Sequence, residues 1–213
     1  MQTATSIQKT KVASETPGAQ TKAKKPRPIS WETFEKKYLT REDGNTYEWS
    51  NGFVLISRNS MGPSQLYIHR NLIALFRELL YKKKIQGELL AETDLFFAAE
   101  VHKRPDFAWL TNQQINRLSV KNAIEIPAFI IEVISNHDVA QKLTEKLQLY
   151  RATGVQVVWL IFPNQEEIHV YSGKNLEEMT VCTGEKICSA APAIPAFTFK
   201  AKAVFEKSGL QQS

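Results

Sequence analysis

A run of six residues near the middle of the chain, Phe129 to Ile134, is apolar at every position except Glu132. Its length and its β-branched and aromatic side chains predict a buried strand. An unpaired, ionised carboxylate in an apolar interior costs several kcal/mol, so a cation, a hydrogen-bond network or a bound metal is needed beside it. The fold must therefore bring a partner to Glu132.

Helical and strand patterns alternate on both sides of this run. Ser30 is placed to cap a short helix, and Asn51-Gly52 joins two apolar runs as a β-hairpin. The other predicted elements are a helix at 65–84, strands at 89–97, 106–110 and 128–134, a short helix within 111–125, a helix at 139–152 capped by Asp138, and strands at 155–162 and 167–172. This order predicts a mixed α/β or α+β domain, with a central sheet flanked by helices and an N-terminal hairpin.

The 213 residues fit one folded domain, assigned to residues 29–207, behind a basic tail at residues 1–28. The first 30 residues hold six basic side chains and one acidic side chain, whereas the remaining residues hold 21 of each. The net charge of +5 therefore belongs to the tail. Because the tail lacks apolar periodicity, we expect it to be disordered. A transit peptide is the alternative, since the tail is poor in acids.

Two further patterns bear on location. No apolar run approaches the ~20 residues that a membrane-spanning helix needs, so no membrane association is expected. The two cysteines, Cys182 and Cys188, have no histidine at zinc-site spacing. These patterns predict a reduced, cytoplasmic protein.

A cation for Glu132 is available on the helix predicted at 139–152. Its apolar stripe consists of Leu143, Leu147 and Tyr150, and Lys146 lies inside that stripe. An ammonium group on the core-facing side of a helix is as unfavourable as a carboxylate in a core strand. We therefore expect Lys146 and Glu132 to meet. Asp106, which follows a proline at the start of a strand, supplies a second carboxylate.

Several segments together resemble a known family. They are Arg104 to Phe107, the runs 127–135 and 145–162, and the run 192–197 before Val204-Phe205. From about Tyr47 to Phe205 the chain resembles the putative restriction endonuclease family of the PD-(D/E)XK nuclease superfamily. The most specific part of the resemblance is an ordered set, namely Asp106, Glu132, Lys146, Tyr150, Gly154-Val155 and Trp159.

The resemblance implies an endonuclease that depends on Mg²⁺ or Mn²⁺ and acts on the phosphate backbone of DNA. It assigns Asp106 and Glu132 to the metal and Lys146 to the attacking water. The lysine usually found two residues after the glutamate is missing, because Ile134 stands there. In this family the catalytic lysine is thought to come from the next helix, where Lys146 lies. Two carboxylates suit Mg²⁺, whose remaining ligands are waters and phosphate oxygens.

Other positions either depart from the family pattern or are candidate additions to the site. Asn136 stands where the family commonly has a proline, and Lys142 where it commonly has an aspartate. Glu48, Glu92 and Tyr150 are candidate additional site residues. For the two glutamates, a solvated position on a strand is the alternative.

The structural alternative for the central residues is a buried ion pair between Glu132 and Lys146 that holds the helix on the sheet, with Asp106 only capping a turn. The matching functional alternative is a catalytically silent nucleic-acid or protein-binding module of the same fold. His69 is expected to be a helix-surface or hydrogen-bonded residue and not a ligand. The sequence leaves the DNA target, a homodimer and an associated methylase open.

Overall fold

The computed structural model describes residues 27–58, 62–135 and 140–208. The helices in this part of the chain are α1 (Trp31–Phe34), α2 (Pro63–Tyr81), α3 (Asn112–Arg117), α4 (Ala140–Thr153) and α5 (Lys202–Phe205), with a π-helical turn at Glu35–Leu39 and a 3₁₀ turn at Lys174–Leu176. The strands are β1 (Asn45–Ser50), β2 (Phe53–Arg58), β3 (Glu88–Ala91), β4 (Leu95–Ala98), β5 (Val101–Lys103), β6 (Phe107–Leu110), β7 (Phe129–Val133), β8 (Val157–Phe162), β9 (Glu167–Ser172), β10 (Glu178–Thr183), β11 (Ile187–Ala190) and β12 (Ile194–Lys200).

The central sheet has six strands in the order β10-β9-β8-β7-β6-β3. Strands β7 and β8 pair in parallel, and the other neighbouring strands of this sheet pair antiparallel. Parallel neighbours need a crossover connection, which α4 provides. The predicted mixed fold, a central sheet flanked by helices, is confirmed.

The two faces of this sheet bury different side chains because successive residues of a strand point in opposite directions. Phe129, Ile131 and Trp159 face a core built with α2, β12 and α5. Ile130 and Val158 face a second core built with α4. Glu132 shares the parity of Ile130 and therefore lies on the α4 side of β7.

A second, four-stranded sheet has the order β2-β1-β5-β4. Its predicted hairpin is confirmed: Asn51 and Gly52 have φ angles of +50° and +85°, the left-handed values that a tight two-residue hairpin turn requires. One face of this sheet packs on α1 through a buried aromatic cluster, which consists of Trp31, Phe34, Tyr47, Trp49 and Phe96. Ser30 caps α1 as expected, accepting from the Thr33 N–H at 3.3 Å.

The prediction of one strand at 89–97 is wrong. This segment forms β3 in the central sheet and β4 in the four-stranded sheet. The break falls at Glu92, whose φ of +46° turns the chain out of β3. The Glu92 N–H donates to the carbonyl oxygen of Asp106 at 3.1 Å, which holds the turned segment against the start of β6. Strand β5 was not predicted.

Some predictions concern residues outside the described part of the chain. They are the disordered tail, apart from residues 27 and 28, and the Asp138 cap. Residues 174–205, for which no helix or strand is predicted, form the 3₁₀ turn, β10, the β11–β12 hairpin and α5. Among the described residues, no helix has the length and apolar character needed to cross a membrane.

Candidate active site

A cleft of about 560 Å³ opens between the four-stranded sheet, the end of β7 and α4. Its lining includes five of the six predicted site residues, namely Glu48, Glu92, Asp106, Glu132 and Lys146. The sixth, Tyr150, reaches the site through a contact with Glu132. Residues from five separate segments of the chain thus converge on one concave surface.

Glu132 has two hydrogen-bonding partners on α4. Its side chain is buried, with 4% of the residue exposed. The Lys146 ammonium donates to Oε2 at 2.9 Å, and the Tyr150 hydroxyl donates to Oε1 at 2.5 Å. Both donors lie on the same side of α4 because they are four residues apart. The expected meeting of Glu132 and Lys146 therefore occurs, and Tyr150 completes the pairing of the carboxylate.

Asp106 lies just before β6 and faces the same cleft. The Val133 N–H donates to Asp106 Oδ2 at 2.6 Å, so the start of β6 is tied to the end of β7. Burial and the charge of Glu132 raise the pKa of Asp106 to about 7, although Lys146 and the Val133 hydrogen bond act in the other direction. Asp106 is therefore a carboxyl group that is only partly ionised near neutral pH.

Lys146 is held in its charged form. Burial acts to lower the pKa of its ammonium group, but the negative charges of Glu132, Glu48 and Asp106 outweigh burial and raise that pKa. The side chain is 28% exposed, so it reaches the cleft while it remains bonded to Glu132. Lys146 can therefore donate hydrogen bonds into the cleft, but it is not a base at neutral pH.

Glu48 and Lys103 form a second buried ion pair, on the four-stranded sheet. Lys103 Nζ donates to Glu48 Oε2 at 3.1 Å, and the Arg104 N–H donates to Oε1 at 3.1 Å. Burial acts to raise the pKa of Glu48, but the charges of Lys146 and Lys103 outweigh it and lower that pKa. Glu48 is thus buried and paired, not a solvated strand residue. Lys103 was missed, and its position just before the Arg-Pro-Asp segment was the only signal for it.

Glu92 lies in the cleft with an unusual backbone. It is half-buried, and its positive φ costs energy for any residue other than glycine. After burial and Glu132, the charge of Glu92 also contributes to the raised pKa of Asp106. Such strain persists only where the surrounding structure supports it. Here the Glu92 N–H donates a hydrogen bond to the Asp106 carbonyl oxygen.

His69 and Arg104 also line the cleft, and each is engaged with a neighbour. The His69 ring lies 4.5 Å from the Phe107 ring, and burial lowers the pKa of the imidazole. Arg104 forms a two-pronged ion pair with Asp94, at 2.8 and 2.6 Å. The charge of Arg104 is therefore balanced by Asp94.

The donor set of the cleft fits a hard cation. Among residues 27–58, 62–135 and 140–208, no group of three or more His, Cys, Asp or Glu side chains is arranged to hold a metal ion. Mg²⁺ needs only one or two carboxylates. Oδ1 of Asp106 has no hydrogen-bonding partner within the described residues, whereas both oxygens of Glu132 are already bonded. The residues therefore fit Mg²⁺ through Asp106, with Glu132 as a second ligand if Lys146 or Tyr150 shifts.

Comparison with known proteins identifies relatives of this chain. A crystal structure of a putative nuclease from Anabaena variabilis, belonging to the DUF820 group, aligns with a TM-score of 0.67 at 20% identity and covers 84% of this chain and 98% of that one. At this identity the likeness shows a shared fold. No curated protein matches the chain. The model of the Uma2 family, described as putative restriction endonuclease, matches residues 31–202. Because this match spans most of the chain, the protein belongs to the putative restriction endonuclease family.

Proposed function

We propose that this protein is a metal-dependent endonuclease that hydrolyses phosphodiester bonds of DNA. In this proposal Asp106 and Glu132 hold Mg²⁺ or Mn²⁺, and Lys146 orients the attacking water. Family membership supports the proposal, as does the nuclease fold shared with the Anabaena variabilis structure. The shared cleft supports it independently, since the three side chains come from distant parts of the sequence.

The observation that carries the proposal is the position of Asp106. A structural ion pair accounts for Glu132 and Lys146, which satisfy each other, but it does not account for a second carboxyl group beside them. Burial and Glu132 raise the pKa of Asp106 to about 7, so its ionised form is unfavourable in the protein alone. Carboxyl groups in such surroundings are concentrated at catalytic and metal-binding sites.

The side chains of the cleft have distinct tasks in this proposal. When bound, a divalent cation supplies positive charge that stabilises the phosphoryl group in the transition state and acidifies water. The Val133 N–H fixes the orientation of Asp106. Glu132 holds the Lys146 ammonium, which keeps its proton and donates a hydrogen bond to the water or to a phosphate oxygen.

The alternative is a catalytically silent nucleic-acid or protein-binding module of the same fold. It is favoured by one observation, namely that both oxygens of Glu132 already accept hydrogen bonds from α4. In such a module the pair of Glu132 with Lys146 only fastens α4 to the sheet. Metal ions would then change neither the covalent state of DNA nor the stability of the protein.

Nicking of supercoiled plasmid in Mg²⁺, Mn²⁺ or EDTA tests the proposal. We expect the wild type to nick in Mg²⁺ or Mn²⁺ and Asp106→Asn to lose about 10²-fold or more of that rate. Glu88→Gln is the matched control, because Glu88 is an exposed carboxylate on β3 of the same sheet and does not line the cleft. If the wild type nicks in neither metal, and calorimetry gives the same Mg²⁺ binding for wild type and Asp106→Asn, the nuclease assignment is wrong.

A further inference from the structure

Strand β2 forms an outer edge of the four-stranded sheet and carries exposed apolar side chains. Phe53 is 43% exposed and Leu55 is 37% exposed. The register of β1 with β2 places Ser50 opposite Phe53 and Glu48 opposite Leu55. Directly opposite residues of an antiparallel pair lie on the same face. Phe53 and Leu55, here called the apolar wall, therefore share a face with the buried Glu48 and line the cleft.

Helix α4 forms the facing side of the cleft. Leu143 and Leu149, three residues before and after Lys146, line it and are partly buried. Lys142 links the two sides, because its Nζ donates to the carbonyl oxygen of Ile56 on β2 at 3.2 Å. The cleft thus combines a charged floor, which consists of Glu48, Asp106, Glu132 and Lys146, with apolar sides.

We infer that this cleft takes an unpaired nucleotide, with the phosphate at the charged floor and the base against the apolar wall. The preferred substrate class is then single-stranded DNA. The inference rests on the proposed nuclease function, which it makes more specific. Because Leu55 is the cross-strand neighbour of Glu48, the apolar wall lies directly beside the charged floor.

The physical reason is what each form of DNA presents to a protein. A duplex stacks its base faces inside and presents mainly phosphates and sugars, which gain nothing from Phe53 or Leu55. An unpaired strand exposes its base faces, which stack on aromatic side chains whatever their sequence. A second copy of the chain that added a strand would use the backbone edge of β2, whereas the apolar wall lies on the face that turns toward the cleft.

Equilibrium binding of three fluorescent probes tests this inference. The probes are a short oligothymidine strand, the same strand in a duplex, and the same strand with abasic sites that keep the phosphates and remove the bases. Anisotropy is measured in Ca²⁺, and gels confirm that the strands stay intact. The variants are Phe53→Ala, Phe53→Trp and Leu55→Ala. Ile187→Ala is the matched control, because Ile187 is 54% exposed on β11 and does not line the cleft.

We expect the oligothymidine strand to bind more tightly than the duplex. Phe53→Ala should weaken single-strand binding about 5- to 100-fold and change duplex and abasic binding less than twofold. Leu55→Ala should also weaken single-strand binding selectively. Phe53→Trp and Ile187→Ala should leave single-strand binding unchanged. Circular dichroism melts of each variant confirm folding, and exposed positions leave the fold intact.

Several results would overturn the inference. They are duplex binding as tight as single-strand binding, equal weakening of all three probes by Phe53→Ala, no binding of any probe, and a wild-type dimer that Phe53→Ala converts to a monomer in light scattering. The last result would assign the apolar wall to a second copy. Base-dependent binding without cleavage in Mg²⁺ or Mn²⁺ would support the inference about the cleft and contradict the nuclease proposal, so the two failures are distinguishable.

Discussion

Replacing Asp106 by Asn should stabilise the metal-free protein at alkaline pH. The pKa of Asp106 rises from its ordinary 3.8 to about 7 on folding, through burial and the charge of Glu132. The folded state therefore holds a proton that the unfolded chain releases, and stability falls as pH rises from about 4 through about 7. Above about pH 7, Asp106 is ionised in both states, and the full free-energy cost of holding its charge in the folded protein is present. Asn carries no charge, and its amide oxygen can still accept from the Val133 N–H.

The size of the effect follows from the pKa change. A change from 3.8 to about 7 corresponds to at most about 4.5 kcal/mol, at about 1.4 kcal/mol for each pH unit. Asp106 is half-buried at the edge of the cleft, and water there reduces the penalty. We therefore expect Asp106→Asn to be more stable than the wild type by about 1–2 kcal/mol at pH 8, with the difference vanishing near pH 4.

Urea unfolding in EDTA at pH 4.5, 6 and 8 measures this difference, with Glu88→Gln as the control that removes a carboxylate from the same sheet without touching the cleft. Adding Mg²⁺ at about 100 times its Kd should stabilise the wild type by about 2.7 kcal/mol and Asp106→Asn by much less. A variant no more stable than the wild type at pH 8, or a gain that does not depend on pH, would show that folding does not raise the pKa of Asp106 as we describe.

Two further predictions concern the helix and the sheet. Lys146→Met should lower metal-dependent nicking by about 10²-fold or more, because it removes the donor beside the water. Because the buried Glu132 loses its cation, Lys146→Met should also cost about 3–5 kcal/mol in urea unfolding, and Glu132→Gln should restore much of that loss. If the pair is only structural, this loss and its rescue occur with no nicking by the wild type. Gly87→Ala should destabilise by about 2–3 kcal/mol, because Gly87 has a φ of +81° and an added Cβ would collide with the Leu110 carbonyl oxygen. Gly44→Ala has a similar φ but meets no atom within 4 Å, so a thermal melt showing equal losses for the two variants would contradict the role of the collision.

The convergence of Asp106, Glu132 and Lys146 was predictable because local periodicity fixes the direction of each side chain. Strand alternation places Glu132 on the face of Ile130, and helical spacing places Lys146 beside Leu147. The Glu132 face of β7 and the Lys146 side of α4 meet because α4 is the crossover between parallel β7 and β8. The hydroxyl of Tyr150 was identified only as part of a family pattern, since its bond to Glu132 depends on how closely α4 packs on the sheet.

The parts that sequence reasoning missed depend on contacts between distant segments. Lys103 is 55 residues from its partner Glu48, and their meeting requires β5 to pair with β1. The break at Glu92 requires a left-handed backbone at a glutamate, for which residue propensity gives no signal. The Glu92 N–H there donates to the carbonyl oxygen of Asp106, again a tertiary contact.

The charge balance of the cleft gives a further reason to expect a divalent ion there. The buried or half-buried carboxyl groups that line the cleft are those of Glu48, Glu92, Asp106 and Glu132. The buried or half-buried ammonium groups are those of Lys103 and Lys146. Arg104 is already balanced by Asp94. Among the described residues these groups leave two excess negative charges when all are ionised. A proton on Asp106 neutralises one of them, which agrees with its pKa of about 7. A divalent cation would neutralise both and displace that proton, so ion binding and the ionisation of Asp106 should be a single coupled equilibrium.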